Sequence, residues 1–309
     1  MKRYYVLIIA LPFSFFAGCA SLTGTQISSI NSYSRLLEKN AEMPVAIITE
    51  FINIKYDIEL MNTGSVEPSC ANEKLWNSYK GKNDAFEKAK KADASLKILG
   101  EYAVAIDRLS ADDLNEDIKK PSEKLGISVD TLIVRFNTAT GKKIPPGIGL
   151  LLSKGALFIG RNWIRNEQAE ALREYLQEGD TLVAMITVNL KKELDSLVLG
   201  QWVPALKEDL KAKQEDLLNN LNPDGDYTAW YATQVNREAA AIIARIDNLE
   251  KLAGKAAQSA VAIRRAHREL VANCAEKKNI REILAESRNL YRATRDLYET
   301  WLAIAKPKK

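Results

Sequence analysis

Histidine is almost missing from this chain: 309 residues hold one, His267. A single imidazole excludes HExxH zinc sites and histidine-rich metal centres, which need at least two. Cysteine is scarce too, with only Cys19, Cys70 and Cys274. Glycine is thin at 15 residues, and the glycine-rich phosphate cradles are incomplete. The stretch Asn137 to Lys143 has Phe136 where a phosphate loop needs its first Gly, and Lys143 where it needs Ser or Thr. Gly147-Ile148-Gly149 lacks the third Gly of a dinucleotide turn, because Leu152 stands there. No Gly-x-Ser-x-Gly elbow occurs. No cofactor, metal or nucleic-acid partner is therefore expected, and no catalytic residue is assigned. The carboxylate pairs Asp112/Asp113, Glu208/Asp209 and Glu215/Asp216 read as solvated helix surface.

Long apolar runs are also lacking. The longest near the N-terminus, Tyr4 to Phe16, has thirteen residues, short of the roughly 20 that cross a bilayer. It follows the basic pair Lys2 and Arg3 and leads to Ala17-Gly18-Cys19. A positive start, a short apolar core and small residues before the cut are the layout of a secretory signal. Phe16-Ala17-Gly18-Cys19 resembles a lipobox, the motif of bacterial lipoproteins, although the family usually has Leu where Phe16 stands. The resemblance covers only this segment. It implies cleavage before Cys19, acylation of that cysteine and attachment to a membrane. Two or more acyl chains give stable anchoring where one is marginal. Ala20 and Ser21 lack the Asp that marks inner-membrane retention in that family, which implies the outer membrane, facing the periplasm. The domain reading is a signal peptide over 1–18, a linker over 19–29 and a helical body over 30–309. An internal boundary is expected near 141–147, where Ile144-Pro145-Pro146-Gly147 breaks the pattern.

What is plentiful favours helix: Ala, Leu, Glu, Lys and Arg dominate. Removing residues 1–18 leaves 42 basic against 40 acidic side chains. That balance hides an asymmetry, since residues 237–309 carry 16 Lys/Arg against 9 Asp/Glu, and residues 19–236 carry 26 against 31. The basic segment can face anionic lipid or an acidic partner, but the plainer expectation is docking on its own acidic remainder.

Along the chain, a helix is expected from about Ile30 to Leu60, interrupted near Pro44. A second is expected from about Asn72 to Leu109, with Leu75, Tyr79, Phe86, Leu96, Leu99, Ala103 and Ile106 on one buried stripe. Residues 127–136 are read as helix on context. A helix then ends at Gly179, with Asp180 capping the next. That next helix carries Leu182, Ile186, Leu190, Leu194 and Leu197 before Gly200 and Pro204 interrupt it. The most regular part is last. Ile242, Ile246, Leu249, Ala253, Ala256, Ala260, Ile263, His267, Leu270 and Cys274 step by fours and threes without a miss. After a polar corner, Ile283, Ser287, Leu290, Thr294, Leu297 and Trp301 resume the pattern. Such spacing keeps one seam against a partner helix, as in coiled coils. The fold class expected is all-α: an elongated antiparallel bundle with long coiled-coil-like helices.

Four residues stand out chemically. Cys19 is the expected lipidation site. Cys70 and Cys274 are an even pair in an oxidising compartment. Bridged, they would close a loop of about 205 residues, worth on the order of 5 kcal/mol in the chain-entropy model; unbridged, they are two separate thiols with Cys274 a small seam residue. His267 lies on the apolar seam among Arg264, Arg265 and Arg268 and reads as packed rather than catalytic. The functional expectation is a non-enzymatic interaction or scaffold module, membrane-attached at Cys19, with an envelope protein as partner. The alternative is a carrier or sensor of a hydrophobic ligand, built on the apolar stretch Ile148 to Ile159; an unassigned enzyme comes third.

Overall fold

A computed structural model describes residues 23–61, 72–83, 94–110, 165–221, 228–276 and 280–305 of the protein. The elements in chain order are α1 (Gly24–Ala41), α2 (Met43–Met61), α3 (72–83), α4 (Ala94–Leu109) and α5 (Arg165–Glu193). A π-helical segment (Leu194–Trp202) follows, then α6 (Val203–Asn219), α7 (Thr228–Glu276) and α8 (Ile280–Ala305). Among the described residues every regular element is a helix, and they pack into an elongated antiparallel all-α bundle.

The spine is α7, 49 residues long and thus on the order of 70 Å. All ten residues of its 3-4 seam, from Ile242 to Cys274, are buried. The alanines at 253, 256 and 260 leave room for neighbouring helices to approach closely. Two helical runs descend α7 in the opposite direction. In the first, Gln26 of α1 meets Asn273, Asn40 meets Ser259, and Asp57 of α2 meets Arg245. In the second, Asp180 of α5 meets His267, Lys207 of α6 meets Asp247 and Glu250, and Gln214 meets Asn236. α8 is joined to α7 across only three residues, 277–279, and folds back along it, with Asp296 facing Lys255. α4 lies antiparallel to α1, where Asp107 accepts a hydrogen bond from Ser34 and Ser110 donates to Asn31.

The core is two clusters laid end to end along the spine. One gathers α1, α4 and α5 around Ile263 to Cys274. The other gathers α2, the π-helical segment and α6 around Ala239 to Ala257. α8 serves both, with Leu290 in the first and Leu297 in the second. Full burial of each Leu or Ile contributes about 1.5–3 kcal/mol, so the two clusters account for the fold's main driving force.

Several local outcomes differ from the sequence expectation. α1 starts at Gly24, not near Ile30, so the last six residues of the expected 19–29 linker are helical. The reason is a capping box: the Gln26 amide donates to Thr23 Oγ1 (3.2 Å), and the Thr23 amide donates to Gln26 Oε1 (2.9 Å). The break near Pro44 falls at Glu42, and Pro44 sits in the first turn of α2, where its missing N–H costs least. Leu75 and Tyr79 are exposed rather than on a buried stripe. The stripe is seen in α4, where Leu99, Ala103 and Ile106 are buried between α1 and α5; Phe86 and the side chain of Leu96 lie outside what is described. Gly179 and Asp180 do not end a helix; α5 runs straight through both. Gly200 and Pro204 do not stop the chain either. The Val203 amide donates to the Val198 carbonyl five residues back, and Pro204 lies at the start of α6. That widened turn absorbs the donor Pro204 lacks. Along this segment Val198 is buried and Leu197 is exposed.

Candidate functional site

Both ring nitrogens of His267 are engaged, and the residue is 0% exposed. Nδ1 lies 3.2 Å from Asp180 Oδ1, and Nε2 lies 2.8 Å from the Tyr102 hydroxyl. An ionised carboxylate only accepts, so Nδ1–H donates to Asp180, and Nε2 accepts from the Tyr102 O–H. Three helices are thus tied through one imidazole: α4 by Tyr102, α5 by Asp180, α7 by His267. α1 adds Tyr33, whose ring packs 5.6 Å from the imidazole. Tyr175 of α5 stacks on Tyr102 at 5.2 Å.

The local sequence explains the placement. Tyr102 stands over Gly179, where an added Cβ would fall inside its hydroxyl and ring. Only glycine leaves that space in α5, and the next residue, Asp180, is then at the height of the imidazole. Asp180 has its side chain 44% exposed, whereas Tyr33, Tyr102 and His267 are enclosed. Burial pushes His267 below the usual histidine range, so it is neutral at physiological pH. The hydrogen bond from His267 holds Asp180 below the usual carboxylate range. Burial pushes the Tyr33 and Tyr102 hydroxyls well above theirs.

An acid, an imidazole and a hydroxyl in line have the composition of a proton relay. A catalytic one must present its last hydroxyl to a substrate. Here that hydroxyl is spent on His267 and covered by α5. Where α1, α2, α4, α5, α7 and α8 converge nearby, the interior leaves only about 10 Å³, lined by residues including Asn40, Leu99, Leu190 and Leu297. That is about the space of one water. The arrangement orients helices and neutralises their buried polar groups.

A second polar junction sits at the meeting point of the two core clusters. Asn40 donates to Thr294 Oγ1 and to the Leu36 carbonyl, each at 2.7 Å, and accepts from Ser259. It links α1, α7 and α8. Further along, Arg245 of α7 pairs with Glu50 and Asp57 of α2. There the basic C-terminal segment docks on acidic side chains of its own chain.

Of the sites expected from sequence, His267 is on the seam as a packed residue. Cys274 is buried, has no disulfide among the described residues, and has its thiol pushed up to about 11 by burial. Cys19, Cys70, residues 127–136, 141–147 and the stretch Ile148 to Ile159 lie outside the described residues. Glu208, Glu215 and Asp216 are exposed on α6 and Asp209 is half-buried there, while Asp112 and Asp113 lie outside the described residues. Sequence reasoning missed Tyr102 and Asp180. One signal could have found the latter: Leu172, Tyr175, Leu176, Gly179, Leu182 and Val183 keep the helical step, so Gly179 belongs to a seam and not to an end. No protein-family model, curated protein or solved structure matches the chain. Fold and site together define an all-α bundle with hydrogen-bonded polar junctions between its helices.

Proposed function

We propose that the chain is a bacterial envelope lipoprotein whose helical body acts by non-covalent contact, as an interaction or scaffold module, and not by chemistry. The observation that supports this most is the spent histidine. The chain's only imidazole is enclosed, with both nitrogens bonded to other helices.

The anchor in this reading is Cys19, acylated after cleavage of residues 1–18, and the body faces the periplasm from the outer membrane. α1 begins five residues after Cys19, so a rigid helical body would start close to the lipid surface. Among the described residues no helix is long and apolar enough to cross a membrane. An acylated cysteine supplies that attachment without a span. The envelope partner is a protein that reads the outer faces of the long helices.

The test is metabolic labelling with a clickable palmitate analogue, followed by envelope fractionation. Wild-type protein should carry label and sediment with membranes; Cys19→Ser should lose both. Label retained by Cys19→Ser would overturn the anchor assignment.

A further inference from the structure

α8 carries two adjacent seams. The inner one buries Leu290, Thr294 and Leu297 in the bundle. The other, one residue further round, runs Leu284, Arg288, Tyr291, Arg295, Tyr298 and Leu302 at steps of four and three. Three of its large apolar members recur every seven residues and stay in solvent, Leu284 at 36%, Tyr291 at 55% and Tyr298 at 44% exposed, while Leu302 is half-buried. The stretch from Leu284 to Tyr298 covers about 21 Å of helix. Seven-residue recurrence is the spacing that holds a line of contacts against a second helix, and exposed tyrosines in such a line are favoured contact residues.

The charges on this seam have one sign. Arg288 and Arg295 alternate with its apolar residues, and Arg292 stands beside it. Arg295 pairs with Asp296 and Glu299 on its own helix. Arg288 and Arg292 are exposed and have no ion pair among the described residues. Asp296 is turned toward α7, where it faces Lys255.

We infer that this outer seam of α8 is the docking surface for an acidic amphipathic helix of a partner protein. The inference rests on the reading of the body as an interaction module and names the face and the partner's chemistry. A second copy of the chain fits poorly, because either orientation would bring Arg288 and Arg295 against arginines of the other α8. A flat anionic lipid surface would also meet the exposed Glu282 and Glu299 of this helix, whereas a narrow partner helix can follow the line of Arg288, Tyr291 and Arg295.

The test uses the mature full-length chain and a synthetic four-heptad peptide, with Leu along one 3-4 stripe and Glu beside it. Its charge-reversed twin carries Lys for Glu, and titrations follow fluorescence anisotropy of the labelled peptides. The acidic peptide should bind, weaken with added salt and lose at least tenfold in affinity to Tyr291→Ser/Tyr298→Ser. Arg288→Glu/Arg292→Glu should reverse the preference toward the Lys peptide. Both variants change exposed positions, and their unchanged melting temperatures would show that the bundle is intact. No binding, equal binding of both peptides, or binding indifferent to these substitutions would overturn the inference. So would a concentration-dependent dimer abolished by Tyr291→Ser, or binding to phosphatidylglycerol vesicles in preference to the acidic peptide. Acyl labelling at Cys19 reads none of these side chains, so the anchor assignment and the docking face fail separately.

Discussion

At Gly179 and Gly254 the same residue type does opposite work. Glycine inside a helix is destabilising by roughly 0.5–1 kcal/mol relative to alanine, through the freedom it loses on folding. Gly254, in mid-α7, has nothing within 4 Å of where a Cβ would stand. Gly254→Ala should therefore stabilise the protein by about 0.5–1 kcal/mol. At Gly179 the new methyl would collide with Tyr102, which is held from the other side by His267. Overpacking a filled core costs typically 1–3 kcal/mol. That exceeds the helix gain, and Gly179→Ala should be net destabilising. Chemical denaturation of both variants gives the two signs, and equal stabilisation by both would show that Tyr102 does not lie across α5.

The register of whole elements turns on the π-helical segment. A helix lets either Leu197, three residues on, or Val198, four on, follow Leu194 on the buried face. The sequence pattern points to Leu197, and the structure buries Val198. Truncating a buried Leu to Ala costs about 2–5 kcal/mol, whereas surface changes usually stay within about 0.5 kcal/mol. Leu194→Ala, like Ile246→Ala or Leu249→Ala on α7, should fall in the first range. Leu197→Ala, at 37% exposed, should fall near the second. The measurement is the midpoint shift in urea for these variants. A loss at Leu197 as large as at Leu194 would mean that Leu197, not Val198, faces the bundle. The same comparison explains what periodicity could not supply. Steps of three and of four fit one stripe, so the apolar pattern alone does not say which of Leu197 and Val198 turns inward.

Across the whole molecule, the hydrogen-bonded trio Asp180–His267–Tyr102 joins α4, α5 and α7 inside one of the two clusters, so its protonation state concerns the entire body. His267 is depressed by burial. The folded state therefore binds fewer protons than the unfolded chain, whose histidine titrates near 6.5. The stability that goes with neutral His267 is fully present above about pH 6.5 and is lost as pH falls through the folded value. Asp180 is also depressed, and its contribution goes further down, below the ordinary carboxylate range. Thermal unfolding should accordingly weaken in two stages on acidification, the first starting just below pH 6.5. His267→Gln, which keeps hydrogen-bonding capacity without titrating, should remove the first stage. Melting temperatures measured from pH 8 down to about pH 2 check this, and a wild-type profile parallel to that of His267→Gln would reject it.

Periodicity alone determined that the chain is helical, that its last two helices are long, and which face of each is buried. The ten seam residues of α7 were legible because a 3-4 repeat admits one geometry: a stripe against another helix. The count of one histidine likewise set aside paired-imidazole metal chemistry before any coordinates. What meets that stripe was decided only in three dimensions. Tyr102 and Asp180 lie 165 and 87 positions from His267 in the chain, and nothing local in either segment announces a shared partner. The hydrogen bond that makes His267 a packed residue forms only when α4 and α5 converge on α7. Gly179 looked like a helix end because glycine favours ends when nothing else is known. The close approach of Tyr102 reversed that preference, since a tertiary clash outweighs the roughly 1 kcal/mol of intrinsic helix propensity. Local preference sets the elements, and the packing between them sets which polar residues become a site.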